Sequence, residues 1–163
     1  PNLLQKESKG TEMRYLCGLL FLCSVHVTAY DNHPSPELGP LDVLEIILSG
    51  LASNDFPERD AGLQQTFRFA SPANKAIVGP YWHFKAVVKQ PQYAPLINHV
   101  QRTIGEPVTN DNTLTVPLFV TSSSGDIAAF MWILSLQIGG SHDGSWMTDG
   151  VRRVEIGKDL RSL

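Results

Sequence analysis

Residues 113–138 read TLTVPLFVTSSSGDIAAFMWILSLQI, and this stretch decides the fold because its hydrophobic period is two. Leu114, Val116, Leu118 and Val120 fall on one face of an extended chain, with Thr113, Thr115 and Thr121 on the other. Ser122-Ser123-Ser124-Gly125-Asp126 has turn chemistry, and a second strand is expected over Ile127–Ile138. Phe130, Trp132, Leu134, Leu136 and Ile138 share one of its faces, while Met131 and Ile133 on the other ask for partial cover there too. The result is an antiparallel pair with one face on a core.

Downstream, Gly139-Gly140-Ser141-His142-Asp143-Gly144 predicts another turn, and Trp146–Ile156 one or two final strands interrupted at Gly150. Upstream the period becomes helical. Pro40 suits a first helical position, and Leu41, Leu44, Leu48 and Leu51 recur at helix spacing, with Val43 and Ile47 widening the stripe. Asp55 with Glu58 three residues on has the form of a capping box for a second helix through Leu63 and Phe67. Ser71-Pro72 opens a short third helix that Gly79-Pro80 closes, and Tyr81 to Val88 forms a fourth with Tyr81, Phe84 and Val88 on one side. Helices followed by a meander of strands, without alternating βα units, predict an α+β fold: N-terminal helices packed on a curved antiparallel sheet.

A chain of 163 residues can bury a core of its own without a metal or disulfide framework. A net charge of -3 gives no basic field to steer nucleic acid, so none is expected as a partner. Residues 1–40 read as an N-terminal extension, 41–157 as the folded domain and 158–163 as a tail. Within the extension, Leu16, Leu19, Leu20, Phe21 and Leu22 follow Met13-Arg14 and precede small residues, the anatomy of a targeting signal. Three readings stand side by side: a retained anchor or interface segment, an unprocessed signal, and an ordinary core element. The segment falls short of the roughly 20 apolar residues of a spanning helix, which favours burial against a partner or membrane surface over spanning. Asp31 to Pro40, rich in proline, reads as a linker. Cys17 and Cys23, both in the apolar segment, look like small fillers.

Asn54-Asp55, the run Phe67-Arg68-Phe69-Ala70-Ser71-Pro72, Lys75, Gly79, Phe84, Val87-Val88, Tyr93 and Leu96 together resemble a family of nuclear-transport-factor-like (cystatin-like) α+β domains of uncharacterised function, with members in bacteria and plastid-bearing eukaryotes. The likeness extends to Ser145-Trp146-Met147 and Gly150-Val151. It implies a cone of curved sheet closed by helices, with a pocket between them. Such a scaffold hosts isomerases, dehydratases, accessory subunits and binding modules alike, so the fold alone assigns no activity.

Catalysis on such a cone would need a base and a second polar group facing inward. The available groups are Tyr81, His83, Tyr93, His99 and Asp126; Tyr81 sits on an apolar stripe, Asp126 in a turn, and His83 and His99 have no evident partner, so no catalytic residue is assigned. The histidines are too scattered for a metal set, no phosphate loop opens a helix, and no cofactor is expected. Phe67, Phe69, Trp82, Phe84, Tyr93 and Trp132 are the candidate lining of an apolar ligand or partner pocket, set against a plain core role. Arg152-Arg153 with Lys158 and Arg161 reads as a solvated basic edge.

The functional expectation is a non-catalytic interaction or accessory subunit of a larger, membrane-bound assembly, with other protein subunits as partners. The competing expectation is a small-molecule binder or an isomerase/dehydratase-like enzyme. Pairing of two copies through the outer sheet face is compatible with both. On the resemblance alone the assembly would be photosynthetic and the location plastid or thylakoid, the secretory pathway being the alternative.

Overall fold

The computed structural model describes residues 32–156. The apolar segment Leu16–Leu22, Cys17, Cys23, Lys158 and Arg161 lie outside the described residues.

Helix α1 spans Pro40–Ala52, starting on the proline that sets its own φ for the first turn. Asp42 reaches back to accept the Gly39 N–H at 3.0 Å, satisfying a donor that the helix start would leave open. Val43, Leu44, Ile47, Leu48 and Leu51 are buried along one stripe. Each such side chain stabilises the fold by about 1.5–3 kcal/mol when fully withdrawn from water, so this helix anchors the core.

Helix α2 spans Ala61–Arg68, later than the Asp55/Glu58 box predicts. Asp55 Oδ1 accepts the Asp60 N–H at 3.0 Å, so it closes the connecting loop and caps nothing. Asp60, the residue before α2, adopts the left-handed conformation at φ 63. Asn54 is the knot of this loop: its amide oxygen accepts the Leu63 N–H at 3.1 Å, and its backbone carbonyl accepts that of Gly62 at 3.0 Å. The two helices touch at glycines, since a Cβ on Gly62 would lie 2.2 Å from the Gly50 carbonyl oxygen.

Helix α3 (Pro72–Val78) and helix α4 (Tyr81–Val88) agree with the sequence reading. Ser71 Oγ accepts the Asn74 N–H at 3.1 Å, an N-cap in the expected place. Gly79 at φ 73 makes the corner between them, a conformation that side-chain-bearing residues resist. A 3-10 turn over Ala94–Leu96 leads into the sheet.

The sheet contains β1 (Gln101–Ile104), β2 (Val108–Asn110), β3 (Thr113–Thr121), β4 (Ile127–Leu136) and β5 (Trp146–Val154). All pairings are antiparallel, in the order β1-β3-β4-β5, with β2 also on β3, and the sheet is not closed. The inward face of β3 and β4 carries Leu114, Val116, Leu118, Val120, Phe130, Trp132 and Leu134, all buried in one cluster with α1, Leu63 and Phe69. This gives the α+β class read from the sequence.

Three details differ. Strand β4 ends at Leu136, so Ile138 leaves the inward face and is 75% exposed in the following turn. Strand β5 is continuous, and what reads as a break at Gly150 is a register shift opposite Ile133/Leu134. Strands β1 and β2 carry no alternation in the sequence because both are largely exposed at the sheet edge. Pro117 accounts for the gap between them: its carbonyl accepts the Gly105 N–H at 2.8 Å, and the N–H that proline lacks would face the same neighbour.

Residues 32–39, read as a linker, lie against the domain. Leu38 packs on the core, and Arg68 donates to the Asn32 carbonyl at 3.3 Å.

Candidate functional site

The chain after α2 adds to the edge of β5 before it turns into α3. The Ser71 N–H donates to the Thr148 carbonyl and the Thr148 N–H to the Phe69 carbonyl, each at 2.8 Å. This clamp holds α3 and α4 over the β4–β5 end of the sheet and leaves a cavity of about 230 Å³ beneath them. Its floor is Trp132 and Thr148–Val151; its walls are Leu51, Thr66, Ala70 and Leu96; its roof is Asn74, Ile77, Val78, Phe84, Val87 and Val88, with Tyr93 at one side.

Trp132, Thr148, Tyr93, Asn74 and Thr66, polar side chains at this cavity, already have protein partners. Trp132 donates its indole N–H to Thr148 Oγ1 at 3.0 Å, across β4 and β5. The Tyr93 hydroxyl donates to the Val151 carbonyl at 3.2 Å, and its ring stacks on Phe130 at a centroid distance of 6.4 Å. Asn74 Nδ2 donates to the Thr148 carbonyl at 3.1 Å, and Thr66 Oγ1 to the Gly62 carbonyl at 2.8 Å. What remains facing the space is methyl, methylene and aromatic surface, with Asp149 the only carboxylate among the described lining residues.

Of the six aromatics read from the sequence, the fold brings Phe84, Tyr93 and Trp132 together at this cavity. The other three go elsewhere. Phe69 is fully buried in the main core, and Phe67 sits in a separate ring cluster with Tyr81 at 5.6 Å and Phe84 at 5.2 Å. Trp82 is 69% exposed, edge-on to His83. The sequence reading missed Val87, Val88, Thr148 and Val151 as lining; Val87-Val88 and Val151 stood in the family-like block, the one signal that marks them.

The other polar candidates are structural. His83 Nδ1 donates to the Val78 carbonyl at 2.6 Å and braces the α3–α4 corner. The Tyr81 hydroxyl reaches the Asp60 carbonyl at 3.4 Å, and burial, with the charges of Asp60 and Glu58, pushes its pKa up. Asp126 accepts from Ser124 Oγ at 2.5 Å within the predicted turn. Buried Asp60 sits between Lys89 at 2.6 Å and Lys85 at 3.5 Å; the Lys89 bond holds its pKa down against the burial that would raise it. His99 is buried, donating from Nδ1 to the Leu96 carbonyl at 2.8 Å, and Nε2 has no hydrogen-bond partner among the described residues.

Among the described residues no group of three or more His, Cys, Asp or Glu side chains could hold a metal ion, and no helix is long and apolar enough to cross a membrane. Comparison with protein-family models, with curated proteins and with solved structures gives no match to this chain.

Proposed function

We propose that this chain is a non-catalytic binding module of nuclear-transport-factor-like architecture, acting as an accessory subunit that takes an apolar group into the cavity under α3 and α4. The observation that supports it is the state of the polar lining: the indole, phenol, carboxamide and threonine hydroxyl groups around the space are already engaged with the protein. Such groups fix the shape of the wall, and apart from the Asp149 carboxylate the side-chain surface left to a guest is hydrocarbon. An apolar guest gains its affinity from the area it removes from water, with no buried polar group left unpaired by its arrival. The helices-first order, the antiparallel sheet and a cavity between the layers are what the family resemblance implies.

Methyl NMR tests this directly. Titration of the full chain with benzene, and separately with hexanol, is expected to shift methyl signals of Leu51, Val78, Val87, Val88 and Val151 saturably, while Ile127 and Ile156, exposed away from the cavity, stay fixed. Shifts spread evenly over all methyls, or none at the lining, would refute the reading.

A further inference from the structure

Between Asp60 and Glu106 the chain carries no acidic residue, while Arg68, Lys75, Lys85, Lys89 and Arg102 all lie in that interval. All 16 carboxylates are therefore in the remainder of a chain whose net charge is -3. The acid-free interval includes α2, α3 and α4, so none of these helices carries a carboxylate of its own.

Arg102 is paired with Glu45, while the lysines of α4 are only partly compensated. Lys85 and Lys89 share the single carboxylate of Asp60. Lys75 is turned inward, donating to the Arg68 carbonyl at 3.1 Å and lying 5.5 Å over the Phe67 ring, and burial lowers its pKa.

At the corner between α3 and α4, two large apolar side chains project: Ile77 is 81% exposed and Trp82 69%. They flank the Val78–Tyr81 turn, which His83 braces through its bond to the Val78 carbonyl. Ala73, Ala76 and Ala86, also exposed, continue the uncharged surface along both helices. Peptides with acidic and apolar residues are recognised in grooves. A protruding, braced pair of Trp and Ile with lysines set behind it suits a lipid–water boundary, where indoles sit at headgroup level and ammonium groups meet anionic headgroups.

We propose that the α3–α4 corner docks this protein on an anionic bilayer, with Trp82 and Ile77 entering the boundary and Lys85 and Lys89, on the same side of α4 as Trp82, against the headgroups. Ile77 also lines the cavity roof, whereas Trp82, Lys85 and Lys89 do not, so quenching read at Trp82 and methyl shifts read at Val87, Val88 and Val151 can fail separately.

The test uses the full chain carrying Trp146→Phe, which leaves Trp82 as the exposed indole beside buried Trp132. Vesicles of phosphatidylcholine alone and of phosphatidylcholine with phosphatidylserine carry brominated acyl chains that quench nearby indoles. On the anionic vesicles Trp82 emission is expected to shift to the blue and to be quenched, with partitioning about tenfold stronger than on neutral ones and weakened by salt. Trp82→Phe abolishes the quenching, Ile77→Asp weakens it, and Ile138→Ser, at an exposed apolar site after β4, leaves it unchanged. Direct reading at Trp82 separates this corner from any lipid affinity of the N-terminal residues. Vesicle binding without Trp82 quenching, quenching that survives Trp82→Phe, equal quenching on neutral vesicles, or no binding would each overturn the proposal.

Discussion

Trp132 on β4 and Thr148 on β5 are joined by an indole N–H to hydroxyl bond of 3.0 Å, buried at the floor of the cavity. The bond spans the place where the β4–β5 register slips by one residue, next to Gly150. It thus ties the side chain that forms the floor to the strand irregularity that shapes it. Thr148→Val keeps the shape and removes the acceptor. It is expected to cost about 1–3 kcal/mol, the desolvation of an unpaired buried donor. Adding Trp132→Phe should cost less than the sum of the two single changes, because the orphaned donor then disappears. Urea unfolding of the two single variants and the double checks both statements; additive costs would show that the bond carries no coupling.

Gly62 stands where α1 and α2 come closest, with the Gly50 carbonyl 2.2 Å from the place a Cβ would occupy. Alanine has the higher helix propensity, so an isolated helix would gain from the change. Here the two helices must separate, and Gly62→Ala is expected to destabilise by about 1–3 kcal/mol. Thermal unfolding decides which effect wins, and an unchanged or raised Tm would refute the contact.

His99 is buried with Nδ1 donating to the Leu96 carbonyl, and burial lowers its pKa. The Leu96 bond opposes that shift, the nearby charge of Arg102 adds to it, and Glu45 counters it. The unfolded chain therefore binds the proton more readily than the folded one, and stability rises with pH. The contribution is complete above the unfolded value of about 6.5 and is lost as pH falls from there toward the folded value. Unfolding measured from pH 7.5 to 5 should show this slope in the wild type and its loss in His99→Leu. A wild type with no slope in this window would contradict the buried, neutral imidazole.

The pKa of Asp60 is lowered too, but by its partners: the Lys89 ammonium, then Asn54 and Lys85, favour its charged form and outweigh burial. Its contribution is present above the unfolded value of about 3.9 and is lost as pH falls through the lower folded value. Lys89 is 39% exposed, so water screens part of this pair. Asp60→Asn should flatten the acid limb of the stability profile below about pH 4, and Lys89→Met should flatten it partly. Denaturation midpoints over that range provide the check; an acid limb unchanged in Asp60→Asn would remove the pair from the account.

The alternation of Leu114 to Val120 and of Phe130 to Leu134 was enough to place the inner sheet face, because a strand with one wet side must alternate. Ser71-Pro72, Gly79-Pro80 and Pro40 likewise marked helix limits through chemistry local to the chain, such as a hydroxyl cap, a fixed φ or a positive φ. The start of α2 was not legible in this way. Asp55 has the spacing of a cap, yet its carboxylate is drawn to Asn98 at 3.0 Å and to the Asp60 N–H, and the contact with Asn98 depends on a residue 43 positions away. Strands β1 and β2, exposed on both faces, have no period to read and exist because β3 offers them its edge.

The buried faces, the order of helices before strands and the absence of acid from Ala61 to Gly105 are legible in the chain, since each is a property of neighbours along it. Only the tertiary structure decided that Phe84, Tyr93 and Trp132 share a cavity while Phe67 and Phe69 do not, and that Ile77 and Trp82 project from one corner. The physical reason is that periodicity records which side of an element avoids water. A gap between packed layers and a protruding corner arise instead from how several elements fail to fill or cover the same space, and no single segment records that.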